Sequence, residues 1–172
     1  MLLKFEEFSP KIAKNCFIAQ NATVIGDVNI EEDSSVWFGC VIRGDVNSIH
    51  IGKRTSIQDL SMIHVTHKSK TSKGYETVIG NDVTIAHKVM LHGCNIEDAC
   101  LIGMNATVLD GAIIGKESIV GANSLVTKNK KFPPKSLILG NPAKVVRALS
   151  DEEVKSLYQS AQNYVNFKNR YL

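Results

Sequence analysis

Aliphatic residues recur every sixth position over most of this 172-residue chain. Ile18, Val24, Ile30, Val36 and Ile42 form a first run, Ile51, Ile57 and Ile63 a second, and Ile79, Ile85 and Leu91 a third. One five-residue step leads to Ile96, and the period resumes through Ile102, Val108, Ile114, Val120 and Val126. A small or β-branched residue usually stands four places later: Ala22, Val28, Ser34, Cys40 and Val46, then Thr55 and Ser61, then Val83, Val89, Cys100, Ala106, Ala112, Ser118 and Ser124. A period of six fits neither the 3.6 of a helix nor the alternation of a hairpin meander, but it suits short strands joined by the corners of a solenoid. The pattern therefore predicts an all-β solenoid, a parallel β-helix. One large aliphatic residue per side fills a narrow interior, and the smaller residue lies where neighbouring sides converge. Each coil buries its core only against the coils above and below, so the ends require caps.

The period stops before the C-terminus, where Pro133, Pro134, Gly140 and Pro142 interrupt it. Ser150-Asp151-Glu152-Glu153 then has the form of a capping box. The helix that it starts is expected to run toward Tyr171, with Val154, Leu157, Tyr158, Ala161, Tyr164, Val165 and Phe167 as an apolar stripe packed along the solenoid. Residues 1–149 are read as the β-helix domain, with repeats over about 12–130 and then a return segment, and residues 150–172 as the terminal helix of the same domain.

Composition narrows the functional classes. Hydrophobic residues make up 44% and charged residues 22% of the chain, which fits one folded domain rather than a disordered segment. Net charge is only +3, and the basic residues are scattered apart from Lys128, Lys130 and Lys131, so no nucleic-acid partner is expected. No stretch approaches a membrane span, and the opening Met-Leu-Leu-Lys-Phe-Glu-Glu does not read as a signal peptide, so the expected location is cytoplasmic. Of the four cysteines, Cys40 and Cys100 fill small-residue positions of the repeat, Cys16 precedes it and Cys94 follows His92 by two. They read as buried, inert thiols, with Cys94 alone kept as a candidate neighbour of a functional site.

The histidines carry the chemistry. Insertions are assigned to Asn47–His50 and to about Val65–Thr77, where Lys68-Ser69-Lys70-Thr71-Ser72-Lys73-Gly74 is loop-like. Counting across them places Ile42, Ile63 and Leu91 on one side of consecutive coils, so Arg43, His64 and His92 form a column one residue later. Strands lie roughly 4.8 Å apart, and two stacked imidazoles are then able to share one ion with bonds of roughly 2.0–2.1 Å. His87, two residues after Ile85, falls on a different side, above Asp59, and cannot complete that pair within its own chain. A neighbouring subunit around a threefold axis supplies it, which predicts an interfacial metal site of His64 and His92 from one chain and His87 from another. His50 is placed in a loop with no registered partner. His67 lies near the predicted site, either as a further polar lining residue or as a solvated one.

The segments Val41-Ile42-Arg43-Gly44-Asp45, Ile57-Gln58-Asp59, Ile63-His64-Val65-Thr66-His67 and Ala86-His87-Lys88-Val89-Met90-Leu91-His92-Gly93-Cys94 closely resemble the gamma-class carbonic anhydrases, in particular their bacterial YrdA/PaaY-like branch. The likeness extends to Leu139-Gly140-Asn141-Pro142-Ala143-Lys144 and the terminal helix. It implies a left-handed β-helix, a homotrimer, and a zinc ion (iron or cobalt in some members) at each subunit interface. The reaction it implies is hydration of carbon dioxide to bicarbonate. Three neutral imidazoles leave a fourth zinc position for water, whose pKa zinc lowers to about 7, a figure established for a carbonic anhydrase of a different fold. By the same resemblance Gln58 orients the attacking oxygen or the substrate, Arg43 and Asp59 pair across the interface with Asp45 joining them, and Tyr164 and Asn166 match a helix region bordering the site. Arg43 and Asp59 equally suit a purely structural ion pair of the trimer. Val46 and His67 stand where the archaeal prototype carries acidic residues that export protons, and the imidazole of His67 is the candidate replacement. Two further classes are weighed: an acyl-CoA-dependent hexapeptide-repeat acyltransferase, which shares the solenoid and the Gly140-Asn141-Pro142-Ala143-Lys144 type of segment but leaves three ligand-type histidines unexplained, and a non-catalytic metal-binding trimer or zinc thioesterase.

Overall fold

The computed structural model describes residues 1–172. The chain winds as a parallel β-solenoid whose interior is three columns of aliphatic side chains. One column is Val24, Ile42, Ile63, Leu91, Val108 and Val126; the second is Ile30, Ile51, Ile79, Ile96 and Ile114; the third is Val36, Ile57, Ile85, Ile102, Val120 and Ile138. Every one of these is fully buried. The sixfold period thus marks one inward residue per side. The residues two places earlier, including Ala22, Cys40, Ser61, Val89 and Ala106, are buried at the converging edges.

Hydroxyls at those edges bridge coils. Ser34 Oγ donates to Gly52 O and accepts from Thr55 N–H, Thr55 Oγ1 donates to Gly80 O and accepts from Val83 N–H, and Ser61 Oγ donates to Ala86 O and accepts from Val89 N–H. Each buried hydroxyl therefore satisfies two backbone groups where the strand ladder breaks at a corner. The corner that carries Ser34 and Thr55 turns through a column of left-handed residues, Asn15, Asp33, Arg54, Asp82, Ala99, Glu117 and Lys135, with φ between 53° and 60°. From Asp33 onward each donates its N–H to the coil before it, which holds a conformation that non-glycine residues otherwise avoid.

Four expectations are corrected. The strand Val41–Ile51 runs unbroken between two faces, and its pairing shifts where Gly26–Val28 faces Gly44–Ile49, so the insertion is centred on residues 45–48. His50 is therefore a strand residue paired with Asn29 and Val78, its Nδ1 3.2 Å from Asn29 Nδ2, and not part of a loop. Val46 sits in the bulge and is exposed instead of filling a repeat position. The prolines also do not end the ladder: Ser136–Gly140 continues it, with Leu137 and Ile138 beside Ile119 and Val120, before Ala143–Ala148 returns antiparallel. Proline is tolerated there because Pro133 and Pro134 lie in the corner between strands.

The helix α1 spans Asp151–Lys168 and starts from the expected capping box, in which Ser150 accepts from Glu153 N–H and Glu153 accepts from Ser150 N–H. It runs back along the third face. Tyr158 donates to Glu117 (2.9 Å), Ser160 meets Thr84 (3.0 Å), Tyr164 packs edge-on against Trp37 and Lys168 reaches Asp33 (3.2 Å). Leu157 and Ala161 are buried as anticipated, whereas Tyr158 and Phe167 are exposed and Lys168 is fully enclosed. No helix is long and apolar enough to cross a membrane.

Candidate metal centre

The strands Met62–His64 and Met90–His92 lie side by side in parallel, with Ile63 beside Leu91 and His64 beside His92. Ile63 and Leu91 point inward, so alternation turns both imidazoles outward on the first face. The rings are partly buried, with centroids 5.1 Å apart, and His64 Nδ1 faces His92 Nε2 at 3.1 Å.

A carboxylate sits behind each ring. His64 Nε2 lies 3.0 Å from Asp45 Oδ1, and His92 Nδ1 lies 2.7 Å from Asp110 Oδ1. Asp45 is brought there by the bulge after Gly44, and its other oxygen accepts from Arg43 Nη1 at 2.5 Å. Burial alone raises the Asp45 pKa, but hydrogen bonds from Arg43 and His64 outweigh it and hold the carboxyl below its usual value. Burial lowers the His64 pKa, the Arg43 charge adds to this, and Asp45 opposes it, with a net shift toward the neutral ring. A carboxylate only accepts, so the hydrogen-bond network assigns the proton of His64 to Nε2 and that of His92 to Nδ1. The two nitrogens that face each other are then both lone pairs. Such a pair is repulsive unless a cation lies between them, and a tetrahedral ion with Zn–N bonds of roughly 2.0–2.1 Å sets its ligand nitrogens roughly 3.3 Å apart, close to the separation found.

His87 is on the third face, beyond the strand Thr84–Ile85. Its Nδ1 lies 3.0 Å from Asp59 Oδ2, as the stacking of Ile85 on Ile57 requires, which leaves Nε2 turned outward. No single chain brings three His, Cys, Asp or Glu side chains together around one point suited to an ion. Within the chain Arg43 pairs with Asp45, and Asp59 is taken up by His87. Gln58 is buried beside this corner. Burial and the Asp59 charge raise the Tyr164 phenol, with a hydrogen bond to Gln58 pulling the other way. Trp37, Phe38, Tyr164, Phe167, Arg170 and Tyr171 wall a cleft of about 540 Å³ that opens beside His87 and Asp59.

Other candidates fall away from the imidazoles. Cys94 is buried, its thiol pushed up to about 12 by desolvation, and its hydrogen bond to His92 reaches the backbone and not the imidazole. Burial likewise pushes Cys40 to about 11. His67 is exposed in the 65–76 arm, and Asn166 pairs with Gln162 along the helix surface. Asp110 escaped the sequence reading. The signal for it existed: it stands two residues after Val108, which occupies the next rung of the His64–His92 column.

Fold and site together define a hexapeptide-repeat protein with paired, carboxylate-backed histidines. Residues 93–128 match the family model described as bacterial transferase hexapeptide (six repeats). The chain is 47% identical over 173 residues to protein YrdA of Escherichia coli, covering 100% of this chain and 94% of that one. It is 53% identical over 154 residues to a Methanocaldococcus jannaschii protein named "Probable carbonic anhydrase", covering 90% and 93%. It also matches gamma carbonic anhydrase 2, mitochondrial, of Arabidopsis thaliana at 46% identity over 96% of this chain, and spans 59% of that relative's length. A crystal structure of a hexapeptide transferase family protein from Anaplasma phagocytophilum superposes with a TM-score of 0.93 at 38% identity, covering 100% and 98%. The chain belongs to the family that contains the gamma carbonic anhydrases and YrdA. An N-acyltransferase, AntD from Bacillus cereus, shares only the fold, at 15% identity and a TM-score of 0.70.

Proposed function

We propose that this protein is a zinc-dependent carbonic anhydrase of the gamma type, acting in the cytoplasm as a homotrimer in which His64 and His92 of one protomer and His87 of its neighbour hold each ion. The observation that carries this reading is that all three imidazoles have an aspartate oxygen within 3.0 Å of one ring nitrogen, at Asp45, Asp110 and Asp59, leaving the other nitrogen free to bind metal. Metal-binding histidines are commonly oriented in this way. Zinc bound there is a Lewis acid that makes water nucleophilic near neutral pH. Iron(II) or cobalt(II) also suits the imidazole donors.

The remaining work falls to the chain itself. Gln58 and Tyr164, beside His87, orient the reacting oxygen and exclude bulk water from the aromatic-walled cleft. Arg43 fixes Asp45, and Asp45 fixes the proton of His64. His67 on the exposed arm carries protons to solvent. The trimer is supported by the corner bearing His87, where Leu60, Met62 and Met104 are 59%, 38% and 57% exposed and call for a covering surface. The four unpaired cysteines agree with a reducing compartment.

Stopped-flow hydration of carbon dioxide by protein of confirmed zinc content tests the reading. Activity above buffer, abolished with zinc binding in His92→Ala, is the expected result. A fully loaded, inactive trimer leaves metal binding or thioester hydrolysis as the function, and metal-free protein that binds acetyl-CoA reverses the choice in favour of an acyltransferase.

A further inference from the structure

We propose that Asp110 is the positioning residue of the metal centre and that the arm formed by residues 65–76 holds Asp110 in place, so that docking of the arm and loading of the metal are coupled. The inference rests on the metal-centre reading above and goes beyond it by naming a residue and a segment that set the geometry of His92.

Asp110 Oδ1 is shared by two donors, His92 Nδ1 at 2.7 Å and Thr66 Oγ1 at 3.0 Å, and Lys128 Nζ stands 3.9 Å from Oδ2. With its carboxylate only one-fifth exposed, Asp110 has its position set by those neighbours. Two of the contacts lead into the arm. Thr66 is at its root, joined to Tyr75 by an antiparallel bridge with N–H···O distances of 2.9 and 3.2 Å, and Ser69 and Ser72 close the tip. Lys128 lies 5.1 Å over the Tyr75 ring. Tyr75 in turn lies against Gly93 and Gly111, both at positive φ, where an added Cβ at Gly93 collides with Asp110 Oδ1 and Tyr75 Cβ.

Further contacts tie the arm to the histidines. Thr77, where the arm rejoins the solenoid, donates from Oγ1 to His64 O at 2.6 Å and accepts from Gly93 N–H at 2.9 Å, one residue beyond His92. Asn47 Nδ2 donates to Thr66 O and Lys73 O, fastening the arm to the bulge that carries Asp45. The arm is thus wired to both ligand strands and to one of the two carboxylates behind them. Its tip is exposed and carries Lys68, Lys70 and Lys73.

With its Oδ1 placed by Thr66, Asp110 holds the His92 ring in the tautomer that presents Nε2 as a lone pair. An undocked arm removes Thr66 and the Tyr75 platform under Lys128, and Asp110 then loses the geometry that orients the ring. Linkage makes the effect reciprocal: an ion that requires the docked arm also favours docking.

Cobalt(II) is the probe, measured on the intact trimer by chelator competition and by its visible absorption spectrum, with trypsin cleavage at the arm lysines as the second readout. Asp110→Ala is expected to weaken cobalt binding about 10–100-fold, the usual effect of losing such a partner. Thr66→Val is expected to weaken it several-fold and Thr66→Ser to restore it. Cobalt should slow cleavage of the arm in the wild type and do so less in Asp110→Ala. Should Asp110→Ala fail to fold, Thr66→Val against Thr66→Ser makes the same comparison. Wild-type affinity and an unaltered spectrum in folded Asp110→Ala or Thr66→Val, or cleavage indifferent to cobalt in the wild type, overturns the coupling. A wild-type trimer that takes up no cobalt overturns the metal reading itself.

Discussion

Lys168 is the one charged side chain that the fold encloses completely, and its ammonium is 3.2 Å from Asp33 Oδ1 and 2.7 Å from Asn169 Oδ1. It pins the end of α1 to the second coil. Asp33 is itself partly exposed, but removing its charge leaves the enclosed Lys168 ammonium without its carboxylate, whereas replacing that ammonium by an apolar group of like size is far milder. Asp33 occupies a left-handed corner at φ 60°, a conformation that asparagine tolerates, so Asp33→Asn isolates the electrostatic effect. Asp33→Asn is expected to cost up to about 3 kcal/mol in urea unfolding, clearly more than Lys168→Met. Equal losses contradict the assignment. Lys168 also shows a limit of sequence reading at this scale, since a lysine beside the apolar Phe167 reads as the solvated member of the pair. The structure reverses them, because the helix ends over a corner that carries a carboxylate. Asp110 was missed for a related reason: counting along the ladder identified the imidazole column but stopped one rung short of the carboxylate behind it. Arg43, His64, His87 and His92 were legible because each is tied by one or two positions to an inward aliphatic residue, and such a position fixes the direction of a side chain.

For the strands, the same logic explains what the period of six conveys and what it omits. It fixed the three aliphatic columns because a narrow interior admits one large residue per side and rung. It misplaced the first insertion and His50, because a bulge inside the continuous Val41–Ile51 strand keeps the pairing on both sides of itself and leaves no loop composition to mark it. The sense of the winding is not contained in the period at all and came with the family resemblance. The helix, by contrast, was legible from its cap. Glu153 accepts from the Ser150 N–H and takes both terminal nitrogens of Arg147 at 2.7 and 2.8 Å, and these hydrogen bonds push its carboxyl from 4.5 down to about 2. A carboxyl depressed by folding stabilises fully above its unfolded pKa of 4.5 and loses that contribution as pH falls toward about 2. The difference in thermal midpoint between wild type and Glu153→Gln should therefore be constant above about pH 5 and shrink to nothing toward about pH 2. A difference that persists undiminished in acid shows that the pair with Arg147 is not its source.

Across the whole molecule, the solenoid separates the three imidazoles of the proposed metal site by construction. Each rung offers three faces, and the outward residue beside one column cannot reach the ion held beside another, so His87 and the His64–His92 pair belong to one ion only if two molecules meet. In the proposed closed threefold assembly every site is heterologous, with one protomer giving its first face and the next its third. The arrangement has a quantitative consequence. Unfolded His64→Ala and His87→Ala chains, mixed in equal amounts and reassembled at random, give trimers of which about three quarters are mixed. A mixed ring of three has a single junction at which an intact His64 meets an intact His87, so it contains one complete site. Averaged over all trimers, about a quarter of the wild-type complement of tightly bound zinc should return, although neither variant alone retains any three-histidine site. Elemental analysis after chelator washing, on trimers verified by light scattering, checks the fraction. Zinc that fails to return in verified mixed trimers means that each site lies within one chain, and zinc retained in full by either pure variant means that two of the three imidazoles suffice.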